Sequence, residues 1–166
     1  VHELLQEAFR KKVTDNSITL EYMQSKLNDL LDGFHFSIVL CGENKDSVKT
    51  KIMEDHFSNI FEFVKKYVSK SSYGCYVPVS GTRRTEPISI SDVIDIEENI
   101  VSPMYGFKGF LDASVEALVE RNRFIVPLEI KTGKSRSIAH EAQGLIYTLL
   151  LKDRYEMEVD FYLLYY

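Results

Sequence analysis

A carboxylate inside an apolar run sets the tightest limit on how this chain folds. Residues 124 to 130 read F-I-V-P-L-E-I, the composition of a mostly buried strand. A glutamate there is costly unless a cation or hydrogen bonds compensate it. Side chains alternate along a strand, so Glu129 and Lys131 share a face and set a carboxylate beside an ammonium. Residues 106 to 119, G-F-K-G-F-L-D-A-S-V-E-A-L-V, carry apolar side chains at about every second position after a glycine pair, as a half-buried strand does. Asp112 stands where it can face the Glu129 pair from that neighbour.

Such a set suits phosphodiester hydrolysis. Two carboxylates hold a hard divalent cation through oxygen, and Mg²⁺ bound in this way keeps several of its waters. The lysine can orient or help deprotonate an attacking water, or stabilise the charge that develops on phosphorus. The same triplet alone is also a solvent-facing Glu-Lys pair on an edge strand, and short patterns recur by chance. The residues by themselves leave both readings open.

The 166 residues, 45% hydrophobic and 12% aromatic, suffice for one core. The expectation is a single domain over 1 to 166, helical over about 1 to 70 and built on a sheet over about 88 to 166. A net charge of -5 excludes a protein that coats DNA with an overall basic surface. A local stripe of Lys108, Arg121, Arg123, Lys131, Lys134 and Arg136 can still follow a phosphate backbone. Cys41 and Cys75 form no C-x-x-C and no metal-spaced set. No stretch approaches the roughly 20 apolar residues that span a bilayer, and no signal-peptide core opens the chain, so an intracellular protein with no membrane partner is expected.

Helices are expected over 1 to 12, over 19 to about 40 behind a Thr19 cap, and over 46 to 69. The last buries Val48, Ile52, Phe57, Ile60, Phe61, Val64 and Val68. Gly74, Pro78, Gly81 and Pro87 punctuate a loop or hairpin over 70 to 90, whose Arg83 and Arg84 either touch DNA or, more economically, simply sit on a surface loop. Strands are expected near 91 to 98, 106 to 119, 123 to 131 and 158 to 165, and a helix over 137 to 152 makes a right-handed crossover between the last two. Its apolar stripe is Ile138, Ala142, Leu145, Ile146, Leu149 and Leu150. Gln143 and Tyr147, four apart, share a face, although Tyr147 is equally a core tyrosine with its hydroxyl at the rim. Lys134, Arg136 and His140 lie at or before the helix start, where they either contact phosphates or simply solvate it. Glu97 and Glu98 read as support for metal ligands or as an exposed acidic pair, and stay outside the site.

Three motifs in one order carry a resemblance: G-F-K-G-F-L-D (Gly106 to Asp112), L-E-I-K-T-G-K (Leu128 to Lys134) and Q-G-L-I-Y (Gln143 to Tyr147). They resemble the PD-(D/E)XK nucleases and, within them, the RecB-like branch. The stretches E-E-N-I-V-S-P-M-Y-G-F-K-G-F-L-D and P-L-E-I-K-T-G-K-S are similar to the nuclease domain of eukaryotic replication helicase/nucleases, fungal forms above all. The likeness is densest over 95 to 166 and thin over 15 to 91.

The resemblance implies an α/β fold with a restriction-endonuclease-like core, a mixed sheet flanked by helices and an N-terminal helical part. It implies Asp112, Glu129 and Lys131 as catalytic residues. The metal ligands it implies are His2, in V-H-E-L-L-Q-E-A-F, with Asp112, Glu129 and the Ile130 carbonyl. Gln143, Tyr147, Lys134 and Arg136 become supporting or DNA-contacting residues. The implied activity is Mg²⁺- or Mn²⁺-dependent cleavage of single-stranded or flapped DNA in the nucleus, alongside a helicase motor and single-strand-binding protein. A four-iron, four-sulfur cluster is implied for the longer protein, with its cysteines outside these residues. The chain would then be a piece of that protein, since both ends look cut inside motifs. The rivals are another RecB-like nuclease, such as a phage exonuclease or a CRISPR-associated one, a catalytically silent nucleic-acid-binding module, and a scaffold in which Glu129 and Lys131 merely pair.

Overall fold

The computed structural model describes residues 1–70, 75–131 and 137–166. Two compact units divide the chain, Val1–Ser69 and Lys70–Tyr166.

The first unit is helical. α1 (His2–Asp15) buries Leu4, Leu5, Ala8 and Phe9, a stripe repeating every four residues. α2 (Leu20–Gly33) starts where Thr19 accepts a hydrogen bond from the Tyr22 amide at 3.2 Å, and it buries Met23, Leu27 and Leu31. The helical region expected to about residue 40 is broken at Phe34, beyond which α3 (His35–Leu40) begins. The next helix has three parts: α4 (Lys45–Ile52) capped by Asn44, a π-helical turn (Met53–Phe57) and α5 (Ser58–Tyr67). The wide turn accounts for the five-residue step between Ile52 and Phe57 in the apolar pattern. It also rotates α5 relative to α4, so the buried stripe runs through Phe57, Ile60, Phe63 and Val64. Phe63 meets Phe9 edge to face with centroids 5.7 Å apart, while Phe61, expected in the stripe, is half-buried beneath Lys65.

The second unit is a five-stranded mixed sheet in the order β1-β2-β3-β4-β5. β1 (Tyr76–Pro78) and the start of β2 (Thr85–Ser102) form the hairpin that the punctuation suggested, with Gly81 at φ 73° in the turn. β2 begins six residues before the expected strand, and register shifts between Ile90 and Asp92 and between Val93 and Asp95 bend it along its length. β3 (Phe107–Val119) and β4 (Asn122–Ile130) are joined by Glu120 and Arg121, with Glu120 in the left-handed region at φ 55°. From Val119 opposite Asn122 the antiparallel register runs unbroken to Ala113 opposite Leu128. β4 also pairs in parallel with β5 (Leu163–Tyr165), reached through α6 (Ile138–Tyr155). The α/β class and the parallel β4-α6-β5 crossover are as expected, but the last strand is shorter than 158 to 165.

The expected stripe of α6 holds at Leu150 and is otherwise overturned. Ile138 is 86% and Leu145 59% exposed, and Ile146 and Leu149 are also exposed. The buried residues are Gly144, Tyr147, Thr148, Leu150 and Leu151. Close approach selects this face. A Cβ on Gly144 would lie 2.4 Å from the Tyr162 ring, and one on Gly109 of β3 would lie 2.7 Å from Leu150 and 2.8 Å from Tyr147. Two glycines at the helix-sheet contact outweigh the larger side chains on the other face.

Candidate active site

The site forms where β3 and β4 part. Their ladder ends at Ala113 and Leu128, so the next positions, Asp112 and Glu129, stand opposite each other at the opening while β4 continues beside β5. A strand leaving its partner exposes an amide that needs an acceptor. The Asp112 carboxylate provides it, its Oδ2 accepting from the Ile130 N–H at 2.7 Å. The Lys131 amide on the other edge donates to the Tyr165 carbonyl at 2.8 Å. Asp112 is therefore fixed on one strand and tied to the other.

Glu129 is buried, at 4% exposure, which is tolerable only with compensation. Lys131 provides it by donating from Nζ to Glu129 Oε1. The same ammonium donates to Gln143 Oε1 on α6 at 2.9 Å, Gln143 Nε2 donates to the Tyr147 hydroxyl at 2.7 Å, and that hydroxyl donates to the Phe110 carbonyl at 2.7 Å. Each bond fixes the sense of the next. The amide oxygen of Gln143 must face the lysine, and Tyr147 must keep its proton to reach Phe110. Burial, reinforced by the charges of Glu129 and Asp112, holds the Tyr147 hydroxyl above its ordinary range against the opposing Gln143 hydrogen bond, which keeps that proton in place.

Asp112, Glu129, Lys131, Gln143 and Tyr147 thus stand together in the second unit. Ile130 is there too, and the contact seen is through its N–H rather than the carbonyl expected as a ligand. His2 opens α1 in the first unit. Lys134 and Arg136 lie outside the described residues. His140 faces the Tyr166 hydroxyl through Nδ1 at 3.0 Å. Arg123 pairs with Glu116 at 2.6 Å, away from the carboxylates.

Glu98, kept outside the site on sequence, is buried, which removes the exposed-pair reading for it. It is 6% exposed, accepts from Ser114 through Oε2 and accepts from the Tyr155 hydroxyl through Oε1 at 3.0 Å. Its neighbour Glu97 is exposed at φ 53°. The bond to Tyr155, with one from Ser102 to Asp153, fastens the far end of α6 to β2. The signal available was the alternation of β2, in which Glu98 shares parity with Ile100.

Among the described residues no group of three or more His, Cys, Asp and Glu gathers in a metal-holding arrangement. The oxygen donors at the fork are the two carboxylates. Their chemistry fits Mg²⁺ or Mn²⁺, since Mg²⁺ is commonly held by one or two carboxylates and completes its shell with water and substrate oxygens. A carboxylate offers about four lone-pair sites, of which Ile130 takes one on Asp112 and Lys131 one on Glu129. An iron-sulfur cluster does not fit these residues, which contain only two cysteines.

The DNA replication factor Dna2 family matches residues 1–117. The chain belongs to that family. Over its whole length it is 60% identical to the DNA replication ATP-dependent helicase/nuclease DNA2 of Saccharomyces cerevisiae, covering 11% of that protein. It is 32% identical to the helicase/nuclease JHS1 of Arabidopsis thaliana over 98% of the chain and 13% of that protein. The corresponding figures for DNA2 of Mus musculus are 28%, 98% and 16%. The chain therefore spans between a tenth and a sixth of the length of these relatives. The Dna2 family match itself includes Asp112 and stops before Glu129, whereas the similarity to the yeast, plant and mouse proteins extends over both. Among the described residues no helix is long and apolar enough to cross a membrane.

Proposed function

We propose that this chain carries the nuclease site of a helicase/nuclease, cutting single-stranded or flapped DNA without sequence choice during replication and repair in the nucleus. The observation that carries the reading is the Asp112, Glu129 and Lys131 constellation at the strand fork, with the lysine fixed by Gln143. Membership of the Dna2 family and the helicase/nuclease names of its relatives support it.

Asp112 and Glu129 would hold Mg²⁺ or Mn²⁺, with the Ile130 carbonyl and His2 as the further ligands that the family resemblance implies. The chemistry supplied by such a cation when bound is polarisation of the phosphodiester and acidification of a water. Lys131 places its ammonium beside Glu129, where it orients the attacking water or neutralises charge growing on phosphorus. Gln143 and Tyr147 are positioning residues. They set the lysine and touch no reacting atom. Lys134 and Arg136 would contact the DNA backbone. The helicase motor, the iron-sulfur cluster and a single-strand-binding protein partner belong to the longer protein.

The test is cleavage of a labelled flap substrate by the full-length protein in Mg²⁺, Mn²⁺ or EDTA, wild type beside Glu129→Ala and Lys131→Ala. Metal-dependent cutting lost in both variants, with DNA binding retained, is the expected result. Cutting that survives both substitutions sinks the assignment.

A further inference from the structure

β3 carries an aromatic ring in a place where burial does not explain it. Lys108, Phe110 and Asp112 alternate along the strand with Gly109 and Leu111, and the alternate residues are buried, Gly109 beneath α6. The three therefore share the other face of the strand. Phe110 is 60% exposed there, and its cross-strand neighbour is Asn99. Val101, opposite Lys108, is 61% exposed, so apolar surface continues across the hairpin. At a strand rise of about 3.3 Å per residue, Phe110 lies only about 7 Å along β3 from Asp112.

The ring stands on a fixed base. Its own carbonyl accepts the Tyr147 hydroxyl at 2.7 Å, so the relay that ends at Phe110 begins at Lys131. The Lys108 ammonium sits 5.0 Å from the Phe110 ring centroid. An exposed ring beside a cation, next to the carboxylate pair, matches the chemistry of single-stranded nucleic acid: a flat base with an anionic backbone beside it. Stacking on a ring is tolerant of sequence because every base has a π face.

We propose that Phe110 is a stacking shelf for the nucleobase adjoining the phosphodiester held at Asp112 and Glu129, and that Lys108 contacts the backbone phosphate beside that base. The proposal rests on the nuclease reading and adds a substrate-positioning residue to it. It makes the shelf and the lysine a single rigid assembly, so the base that stacks sets which phosphodiester reaches the carboxylates.

The test uses the full-length protein with Phe110→Ala and Phe110→Trp, on single-stranded oligonucleotides that are intact or carry one abasic site at successive positions. Phe110→Ala is expected to raise KM roughly 5- to 150-fold on intact DNA, the range that stacking one base supplies. Phe110→Trp should restore it. A substrate abasic at one position near the cut should bring wild type and Phe110→Ala together, an equality that a merely structural role for Phe110 would not produce. A Phe110→Ala protein that cuts intact DNA with wild-type KM overturns the proposal, leaves the Glu129 and Lys131 assignment standing, and turns the patch into a surface for another protein. A KM loss that no abasic position abolishes overturns it as well. Failure of the nuclease reading would appear separately, as cutting that survives Glu129→Ala.

Discussion

Replacing Tyr147 with phenylalanine isolates the relay between β3, α6 and Lys131. The ring is 8% exposed, and Tyr147→Phe keeps its packing while removing one oxygen. That oxygen accepts from Gln143 at 2.7 Å and donates to Phe110 at 2.7 Å. Each such bond contributes about 1 kcal/mol net, so the pair is worth about 2 kcal/mol. Gln143 is half-buried and can turn to water, which keeps the loss near that sum rather than adding a full orphan penalty. Amide hydrogen exchange in the full-length protein reads this locally, and 2 kcal/mol corresponds to roughly 30-fold faster exchange in the β3 and α6 peptides. Gln143→Leu should produce a similar acceleration. The double variant should fall short of the product, since both changes break one chain of bonds. Exchange changed by less than about threefold in Tyr147→Phe, or effects that simply multiply in the double variant, would show that these residues do not act as a unit.

The helix-sheet contact and three tyrosines of the second unit lead to two more expected outcomes. Gly144→Ala places a methyl 2.4 Å from the Tyr162 ring. The overpacking, about 1 to 3 kcal/mol, should exceed the roughly 1 kcal/mol of helix propensity that alanine brings. Urea-dependent pulse proteolysis should show the loss, and adding Tyr162→Ala should relieve the clash. Tyr147, Tyr155 and Tyr162 all have hydroxyls raised above the ordinary range, chiefly by burial. The unfolded chain therefore loses these protons first, so their stabilisation is complete below about pH 10 and declines as the pH rises through the folded values. The urea midpoint should hold up to about pH 10 and fall above it, and the fall should flatten in Tyr147→Phe with Tyr155→Phe. An unchanged slope would count against raised tyrosine hydroxyls.

The juxtaposition of Asp112, Glu129 and Lys131 was legible because a charge in an apolar run demands a partner and strand alternation says where that partner can stand. The Gln143 and Tyr147 pairing was legible from helical spacing alone. What the pattern hid was set by shape and by long-range pairing. Hydrophobicity pointed to Ile138 and Leu145 as the inner face of α6, yet Gly109 and Gly144 decide the face through what they lack. The exposed reading of Glu98 stayed open because its compensating donors, Ser114 and Tyr155, lie 16 and 57 residues away along the chain. A wide turn in a long helix leaves only a five-residue step in the pattern, which is easily read as ordinary phase drift. His2 illustrates another limit: its proposed part comes from a motif likeness, and nothing in its local spacing points to metal.

The turn at Glu120 and Arg121 lies roughly 25 Å from the carboxylates, at 3.3 Å per residue along β3. It nevertheless works as their gauge. Val119 faces Asn122 at that turn, and every later pairing up to Ala113 with Leu128 inherits the count, so where the strands finally separate is fixed at the opposite end of the hairpin. One residue gained or lost in either strand would turn Asp112 or Glu129 to the wrong side of the sheet. A lesion beside a surface turn, far from either carboxylate, would then undo the proposed site as thoroughly as deleting a carboxylate, and the same slip would turn Leu111, Val115 and Ala117 out of the core.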